Sequence, residues 1–429
     1  MESKVSDLQQ ALYRAAKTNT ARRFYSLYDK VHREDVLREA WATTARNHGA
    51  AGVEGKSIED IEREGVPLFL EGLRRELVER TYRPTPVRRV WIPKANGKLR
   101  ALGIPTVRDR VVQTAVRLVL EPIFEAGFEP YSYGFRPGKS ALDAVGEVAA
   151  QLNFGCTKVV DADIKGCFDN IPKSRLMVEV AKRVTDGAVL RLVRMFLDAG
   201  VLDGETLVYP DAGTPQGSPL SPLLANVYLD QLDKGWRATG LAGQWQSRAR
   251  IVRYADDFVI LYERYPTLVR KALDHIVEGM GLTLSEEKTR MVDAEDGFDF
   301  LGFRFVRHYS KRKGRKVNTW FPSPKAVQRA RDRICELTYP SRLAEKLPQE
   351  VKAEVEAVLR GWTGYFRNSQ GSVQIGKVYS YAQERLARYW RRQHHLRRAG
   401  RYRDLYKNGL HLMGTLERPM RRTNYLWRA

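Results

Sequence analysis

The chain has 429 residues, 43% of them hydrophobic, and a formal net charge of +22. That length and apolar share allow a sizeable globular core in two or three domains and exclude a disordered or fibrous chain, while the cation excess points to a polyanion such as nucleic acid. Three cysteines without a C-x-x-C pair exclude a disulfide framework or zinc ribbon; with no secretory segment and no apolar run near the roughly 20 residues of a membrane span, a cytoplasmic protein with no membrane partner is expected.

Residues 1–50 show helical spacing twice, at Leu8, Leu12, Ala15 and Ala16 and again at Val36, Leu37, Ala40 and Trp41. Beside them lie Arg14, Lys17, Arg22, Arg23, Lys30 and Arg33, which read equally as solvated helix faces or as a nucleic-acid surface. The Gly-rich stretch 48–55 lacks the Gly-Lys-Ser/Thr of a P-loop and a preceding strand, so it is not a nucleotide site. Val66, Phe69, Leu70, Leu73 and Leu77 predict an amphipathic helix over 66–79. Residues 87–104 read as a hairpin turning at Asn96-Gly97, with Lys94, Lys98 and Arg100 near its tip. A long helix over 107–128 turns Val111, Val112, Ala115, Val116, Val119 and Ile123 inward, leaving Arg108 and Arg110 to face nucleic acid. Residues 131–140 mix rings, cations and turn formers, which suits base stacking and equally a packed loop.

Acidic residues that could do chemistry sit on two predicted β segments. Residues 158–163 read as a strand with Asp161 and Asp163 on one face and Val160, Ala162 and Ile164 on the other, broken at Gly166. Residues 251–262 read as a tight hairpin presenting Asp256 and Asp257 at its bend. An Asp pair in a turn can be simply solvated. Two acidic strands side by side instead supply the rigid, converging oxygens that hard cations need for phosphoryl transfer. Between them, helices over 174–199 lead to Thr214-Pro-Gln-Gly-Ser-Pro219, a sharp loop opening a helix over 220–232. A helix N-terminus there favours anions, which makes Gln216 the candidate for nucleotide contact. Leu268, Ala272, Leu273, Ile276 and Val277 mark a further helix, Lys288 follows in 281–289, and 298–305 alternates as a strand.

From about residue 309 the composition changes. Ser310-Lys-Arg-Lys-Gly-Arg-Lys316 reads as a basic loop, and helices are predicted over 326–337, 348–368 and 378–398. Residues 385–403 hold eight arginines and no acidic residue, with Tyr389, Trp390 and Tyr402 interleaved. A solvated face would alternate in sign, so this one is read as touching nucleic-acid phosphates. Seven histidines and three cysteines show no metal-ligand spacing.

Asp163-Ile-Lys-Gly-Cys-Phe168 resembles the first catalytic motif of reverse transcriptases, Tyr254-Ala-Asp-Asp257 their catalytic hairpin, and Gly213-Thr-Pro-Gln-Gly-Ser-Pro-Leu-Ser-Pro222 the motif between. Order and spacing agree, and Leu359-Arg-Gly-Trp-Thr-Gly-Tyr-Phe-Arg367 looks like the thumb, or maturase, domain of the enzymes encoded by bacterial group II introns. The resemblance implies an α/β right-hand polymerase (fingers and palm) followed by an α-helical thumb/maturase domain. Its expected divisions are an N-terminal RNA-contacting extension over 1–50, fingers and palm over 51–308, the helical domain over 309–400, and a short basic tail over 401–429. Asp163, Asp256 and Asp257 become the catalytic carboxylates, with two Mg²⁺ ions about 3.5–4 Å apart against Asp163, Ile164 and Asp256. Lys94, Arg100, Phe168, Gln216 and Lys288 become dNTP contacts. Phe168 would be a steric gate against a 2′-hydroxyl, although its position also suits a core aromatic. Residues 298–305 resemble the primer-grip region. Arg385, Arg388, Arg391, Arg392, Arg397 and Arg398 are the expected nucleic-acid contacts. The implied activities are RNA-directed DNA synthesis and maturation, with intron RNA, an RNA template with a DNA or RNA primer, a DNA target and dNTP as partners. The zinc-bearing endonuclease domain of larger relatives is expected to be absent, as in the compact class of intron proteins. An intron-free reverse transcriptase recruited to host defence or DNA repair stands as the alternative.

Overall fold

The computed structural model describes residues 4–93, 97, 99–243, 247–339, 341 and 346–393. In chain order the first elements are helices α1 (Lys4–Thr18), α2 (Tyr28–Val31), α3 (Glu34–Arg46), α4 (Ile58–Glu64) and α5 (Val66–Val78), then strands β1 (Val87–Pro93) and β2 (Leu99–Ile104). There follow α6 (Val107–Glu125), α7 (Ala141–Asn153), β3 (Lys158–Asp163), α8 (Cys167–Asn170), α9 (Lys173–Ala181), α10 (Gly187–Asp198), β4 (Val201–Asp203), β5 (Thr206–Val208) and α11 (Ser221–Ala238). The remainder is β6 (Arg250–Tyr254), β7 (Asp257–Tyr262), α12 (Pro266–Gly279), β8 (Arg290–Asp293), β9 (Phe298–Phe300), β10 (Phe303–Ser310), β11 (Arg315–Pro322), α13 (Pro324–Leu337), α14 (Pro348–Phe366) and α15 (Ser372–Gln393). Contacts gather these into two compact units, residues 1–140, 162–260 and 264–290 in one, and residues 141–161, 261–263 and 291–429 in the other.

In the first unit α6 is the central pillar. Val111, Val112, Ala115, Val116, Val119, Leu120 and Ile123 are all fully buried, and α1 and α3 pack along it. Thr106 caps its start by accepting from the Asp109 amide at 3.1 Å. The partners of Arg108 and Arg110 run against the expectation that both face nucleic acid. Arg110 is buried and donates to the Ala50 carbonyl at 2.7 Å, while Arg108 pairs with Glu76 and stacks 4.7 Å over Tyr82. The predicted 87–104 hairpin is β1 and β2, paired from Arg88↔Ile104 to Pro93↔Leu99, and it joins a sheet of order β2-β1-β4-β5. A second sheet has the order β6-β7-β3-β8. The β3 burial pattern is not a clean alternation, because Val159 is buried as completely as Val160.

In the second unit, residues 298–305 are two strands rather than the single one expected. Leu301 and Gly302 take left-handed φ values of 48° and 81° and turn β9 back on β10. The basic stretch 310–316 becomes the exposed tip of the long β10–β11 hairpin, whose register runs from Phe303↔Pro322 to Ser310↔Arg315. Helices α13, α14 and α15 form a bundle. Its core joins Ala330, Ile334 and Leu337 to Val351, Val355 and Leu359 and to Val378, Ala382, Leu386 and Tyr389. Within each helix these residues follow one another at steps of three or four, one apolar stripe per helix.

Candidate active site

β6 and β7 are joined by a two-residue turn, Ala255-Asp256, with Ala255 at φ 56°, and Asp257 is the first residue of β7. Asp163 ends β3, the strand beside β7, so the sheet order brings the expected catalytic carboxylates to the ends of neighbouring strands. A strip at 283–285 runs along the far side of the β3 end. The Lys165 amide donates to the Thr283 carbonyl at 2.9 Å, and the Ser285 amide to the Asp163 carbonyl at 2.8 Å. Those bonds flank the Ile164↔Leu284 bridge, so Ile164 turns its own carbonyl away from Leu284 while its side chain stays buried. The same strip delivers Lys288, whose Nζ donates to Asp163 Oδ2 at 2.8 Å.

Charge sets the character of this corner. Burial first, and then the like charge of Asp163, lift the Asp256 carboxyl above the ordinary range against the pull of Arg100 and Lys288. The hydrogen bond to Asp163, helped by the charges of Asp257 and Asp256, raises Lys288 in turn. Buried Cys167 is pushed up to about 12 by desolvation and the neighbouring Asp256, so its thiol stays protonated. Among the described residues no three His, Cys, Asp or Glu side chains converge on one point. A pair of carboxylates nevertheless fits Mg²⁺, which is usually held by one or two of them together with substrate phosphates and water. A divalent charge would also offset the burial and the repulsion that together lift Asp256.

The expected nucleotide contacts Phe168 and Gln216 fall on α8 and on the loop at 213–217. A Cβ on Gly213 would meet the Asp169 carbonyl at 2.8 Å, and one on Gly217 would meet the Gly103 carbonyl at 2.3 Å. These close approaches wedge the loop between α8 and β2, fixed by Thr214 N–H to the Phe168 carbonyl at 2.8 Å and Gly103 N–H to the Gln216 carbonyl at 2.7 Å. Gln216 Nε2 donates to Asp169 Oδ1 at 3.0 Å. Gln216, Asp169, Arg100, Arg89 and Lys173 line one cavity of about 390 Å³. Phe168 is half-buried at the start of α8. Lys94 lies outside the described residues.

Two features escaped the sequence reading. Arg253, in mid-β6, is fully buried, and its guanidinium takes both Asp233 carboxylate oxygens, Asn226 Oδ1 at 3.1 Å and the Ala255 carbonyl at 2.8 Å. Asn226 reaches on to the Gly134 carbonyl at 2.8 Å, and a Cβ on Gly134 would lie 2.3 Å from the Ala255 nitrogen. The Ala255-Asp256 turn is therefore held by Arg253 against α11 and by the close approach of Gly134. An arginine between Val252 and Tyr254, inside the apolar run, was the available signal. The stretch at 131–140 is correspondingly mostly packed loop: Ser132, Tyr133 and Arg136 are buried, and Arg136 forks onto Glu125.

Residues 92–305 match the reverse transcriptase (RNA-dependent DNA polymerase) family, and residues 327–409 match the group II intron maturase-specific domain. The chain belongs to the group II intron reverse transcriptase/maturase family. It is 33% identical over 357 residues to protein YkfC of Escherichia coli, covering 75% of this chain and 93% of that one. Over 214 residues it is 39% identical to the group II intron-encoded protein LtrA of Lactococcus lactis, covering 49% of this chain and 35% of LtrA. A 91 kDa protein in the cob intron of Schizosaccharomyces pombe is 28% identical over 382 residues, with 73% of this chain and 46% of that protein covered. The mixed α/β region is thus the polymerase domain of a reverse transcriptase, an RNA-directed DNA polymerase of a family that works with divalent metal, and the helical bundle is the maturase region.

Within that bundle the expected nucleic-acid arginines separate. Arg385 hydrogen-bonds Thr338 Oγ1 at 2.9 Å and the Cys335 and Thr338 carbonyls at 3.3 Å, closing the C-terminus of α13. Arg388 pairs with Glu384 one turn back. Arg392 is exposed, and Arg391 lines a groove of about 720 Å³ between α13 and α15 with Arg331, Lys377 and Tyr381. Arg397 and Arg398 lie outside the described residues.

Proposed function

We propose that this reverse transcriptase copies RNA into cDNA by joining a primer 3′-hydroxyl to the α-phosphate of a dNTP, releasing pyrophosphate, at the Asp163–Asp256 corner. The observation that carries the reading is that pair on adjacent strand ends, with Asp256 lifted by burial and then by Asp163, and Lys288 against Asp163. Asp163 and Asp256, with the Ile164 carbonyl, would hold two Mg²⁺ ions, and Asp257 would support them. When bound, such ions activate the attacking oxygen and neutralise the triphosphate. Arg100 forks onto phosphate oxygens and Lys288 adds a point charge. Gln216 holds the nucleotide from the side of the 213–217 loop. Phe168 excludes the 2′-hydroxyl. Lys94 completes the set of nucleotide contacts.

Extension of a DNA primer on an RNA template in Mg²⁺ tests this directly. Wild type should extend and Asp256→Ala should not, while both bind primer-template alike, because affinity comes from basic surfaces. Full extension by Asp256→Ala would remove the assignment.

The second activity is maturation, binding of the parent intron RNA to promote its splicing and, with a DNA target, retrohoming. The maturase-specific match over 327–409 supports it over an intron-free polymerase serving defence or repair. Faster splicing of the intron around the gene at moderate Mg²⁺ is the expected result; no acceleration by wild type would reject it.

A further inference from the structure

Arg253 is wholly enclosed, three residues ahead of Asp256, and makes more hydrogen bonds than a buried ion pair requires. Its Nε and Nη2 take the Asp233 carboxylate, which completes the pair. Such a pair is a weak source of stability, because apolar side chains of like volume in its place are often neutral or better. The remaining arm of the fork points to a different task. Nη1 gives one hydrogen to Asn226 Oδ1 at 3.1 Å and the other to the Ala255 carbonyl at 2.8 Å.

The Ala255 carbonyl is one edge of the Ala255–Asp256 peptide unit, and the Asp256 amide is the other. That unit is planar, so fixing one edge fixes the other. The Asp256 amide in turn hydrogen-bonds the Asp256 carboxylate. One rigid plate thus links the guanidinium to the carboxylate. The turn needs such a hold, since Ala255 sits at φ 56°, where an alanine lacks the ease of glycine. Arg253 is itself anchored. Its N–H donates to the Tyr131 carbonyl at 3.0 Å, its carbonyl accepts from the Tyr133 amide at 2.8 Å, and Asn226 is tied to the Gly134 carbonyl at 2.8 Å.

We propose that Arg253 is a positioning residue for the metal site: acting through the Ala255–Asp256 peptide, it aims the Asp256 carboxylate to take a divalent ion. This rests on the polymerase reading, which gives Asp256 its metal. The fork matters as much as the charge. A planar guanidinium serves Asp233, Asn226 and Ala255 at once, whereas an ammonium is a point charge with no fixed fork.

Two variants test it. Arg253→Met with Asp233→Leu replaces the pair by apolar side chains, so its urea midpoint should stay near wild type. Arg253→Lys keeps the charge and loses the fork. Mn²⁺ binding is read from the resonance signal of the free ion, with dNTP and a primer ending in a 3′-deoxynucleotide so that nothing turns over, and Asp256→Ala sets the background. Affinity for Mn²⁺ should fall about ten-fold or more in both variants, the usual cost of losing an outer partner of a metal ligand. With an extendable primer, kcat should fall by a similar factor and recover in part as Mg²⁺ is raised, while primer-template affinity stays at the wild-type value. Wild-type Mn²⁺ affinity or wild-type kcat in either folded variant would overturn the proposal and leave the polymerase reading standing. Failure of both variants to fold would overturn it too, since the network would then support the core alone. If wild type extends no primer, the polymerase reading itself falls, and this role with it.

Discussion

Phe168 occupies the first turn of α8, half-buried, with its backbone carbonyl bound by Thr214. If its ring stands under the sugar, Phe168→Ala should raise NTP incorporation relative to dNTP while dNTP synthesis stays measurable. A core role predicts otherwise: losing a buried aromatic costs about 3–5 kcal/mol, and activity with both substrates would fall together. The ratio of kcat/KM for a matched dNTP and NTP decides, and an unchanged ratio removes the gate. At this scale the sequence showed the residues whose chemistry is visible in their own side chains. Asp163 and Asp256 are carboxylates at the ends of predicted strands, and Gln216 sits in a Gly/Pro loop. Arg253 stayed hidden because its meaning lies in distant partners, Asp233 and Asn226.

Elements were legible where a periodic stripe was long and less so where a turn was short. The helices over 66–79 and 107–128 and the hairpin at 251–262 appear within a few residues of their expected spans. Residues 298–305 did not, because their apolar alternation continues on either side of Leu301-Gly302 and conceals the reversal. Helix α10 shows how one side chain secures an element. Asp186 caps it by accepting from the Ala188 and Val189 amides at 3.0 and 3.2 Å, and takes the Leu27 and Tyr28 amides at 2.8 Å. Burial alone would raise its carboxyl, but these four backbone donors outweigh it and hold it below the ordinary range. Asp186→Ala should therefore cost about 2–4 kcal/mol, a lost cap plus amides left unpaired. A depressed folded pKa stabilises above the unfolded value of about 3.9 and stops doing so as pH falls through the folded one. The gap in urea midpoint between wild type and Asp186→Ala should accordingly be full near neutrality and narrow on acidification below about pH 4. A gap that is constant with pH would mean the carboxylate charge is not what holds α10.

For the whole molecule, the net charge of +22 announced a polyanionic partner but not which cations meet it. Arg108, Arg110, Arg136, Arg253 and Arg385 are all engaged inside the fold, so a count of basic residues overstates the binding surface. Lys377, Arg391 and Arg392 on α15 are better placed, the first two lining the groove and the third exposed. The carboxylates at 163, 256 and 257 fall in one compact unit and these three cations in the other, so synthesis and RNA holding should be separable by substitution. Asp256→Asn with Asp257→Asn should abolish cDNA synthesis while leaving intron RNA binding and protein-assisted splicing near wild type. Lys377→Ala, Arg391→Ala and Arg392→Ala together should weaken RNA binding and make it less sensitive to salt. Each lost phosphate contact releases fewer counterions, so the slope of log affinity against log salt should shrink by about 2–3. Binding titrations of the intron RNA at several salt concentrations, beside primer extension at saturating RNA, measure both effects. If the triple variant keeps the wild-type slope, RNA is held elsewhere on the chain. If the carboxamide pair loses RNA binding as well as synthesis, the two activities share one surface and the division of labour is wrong.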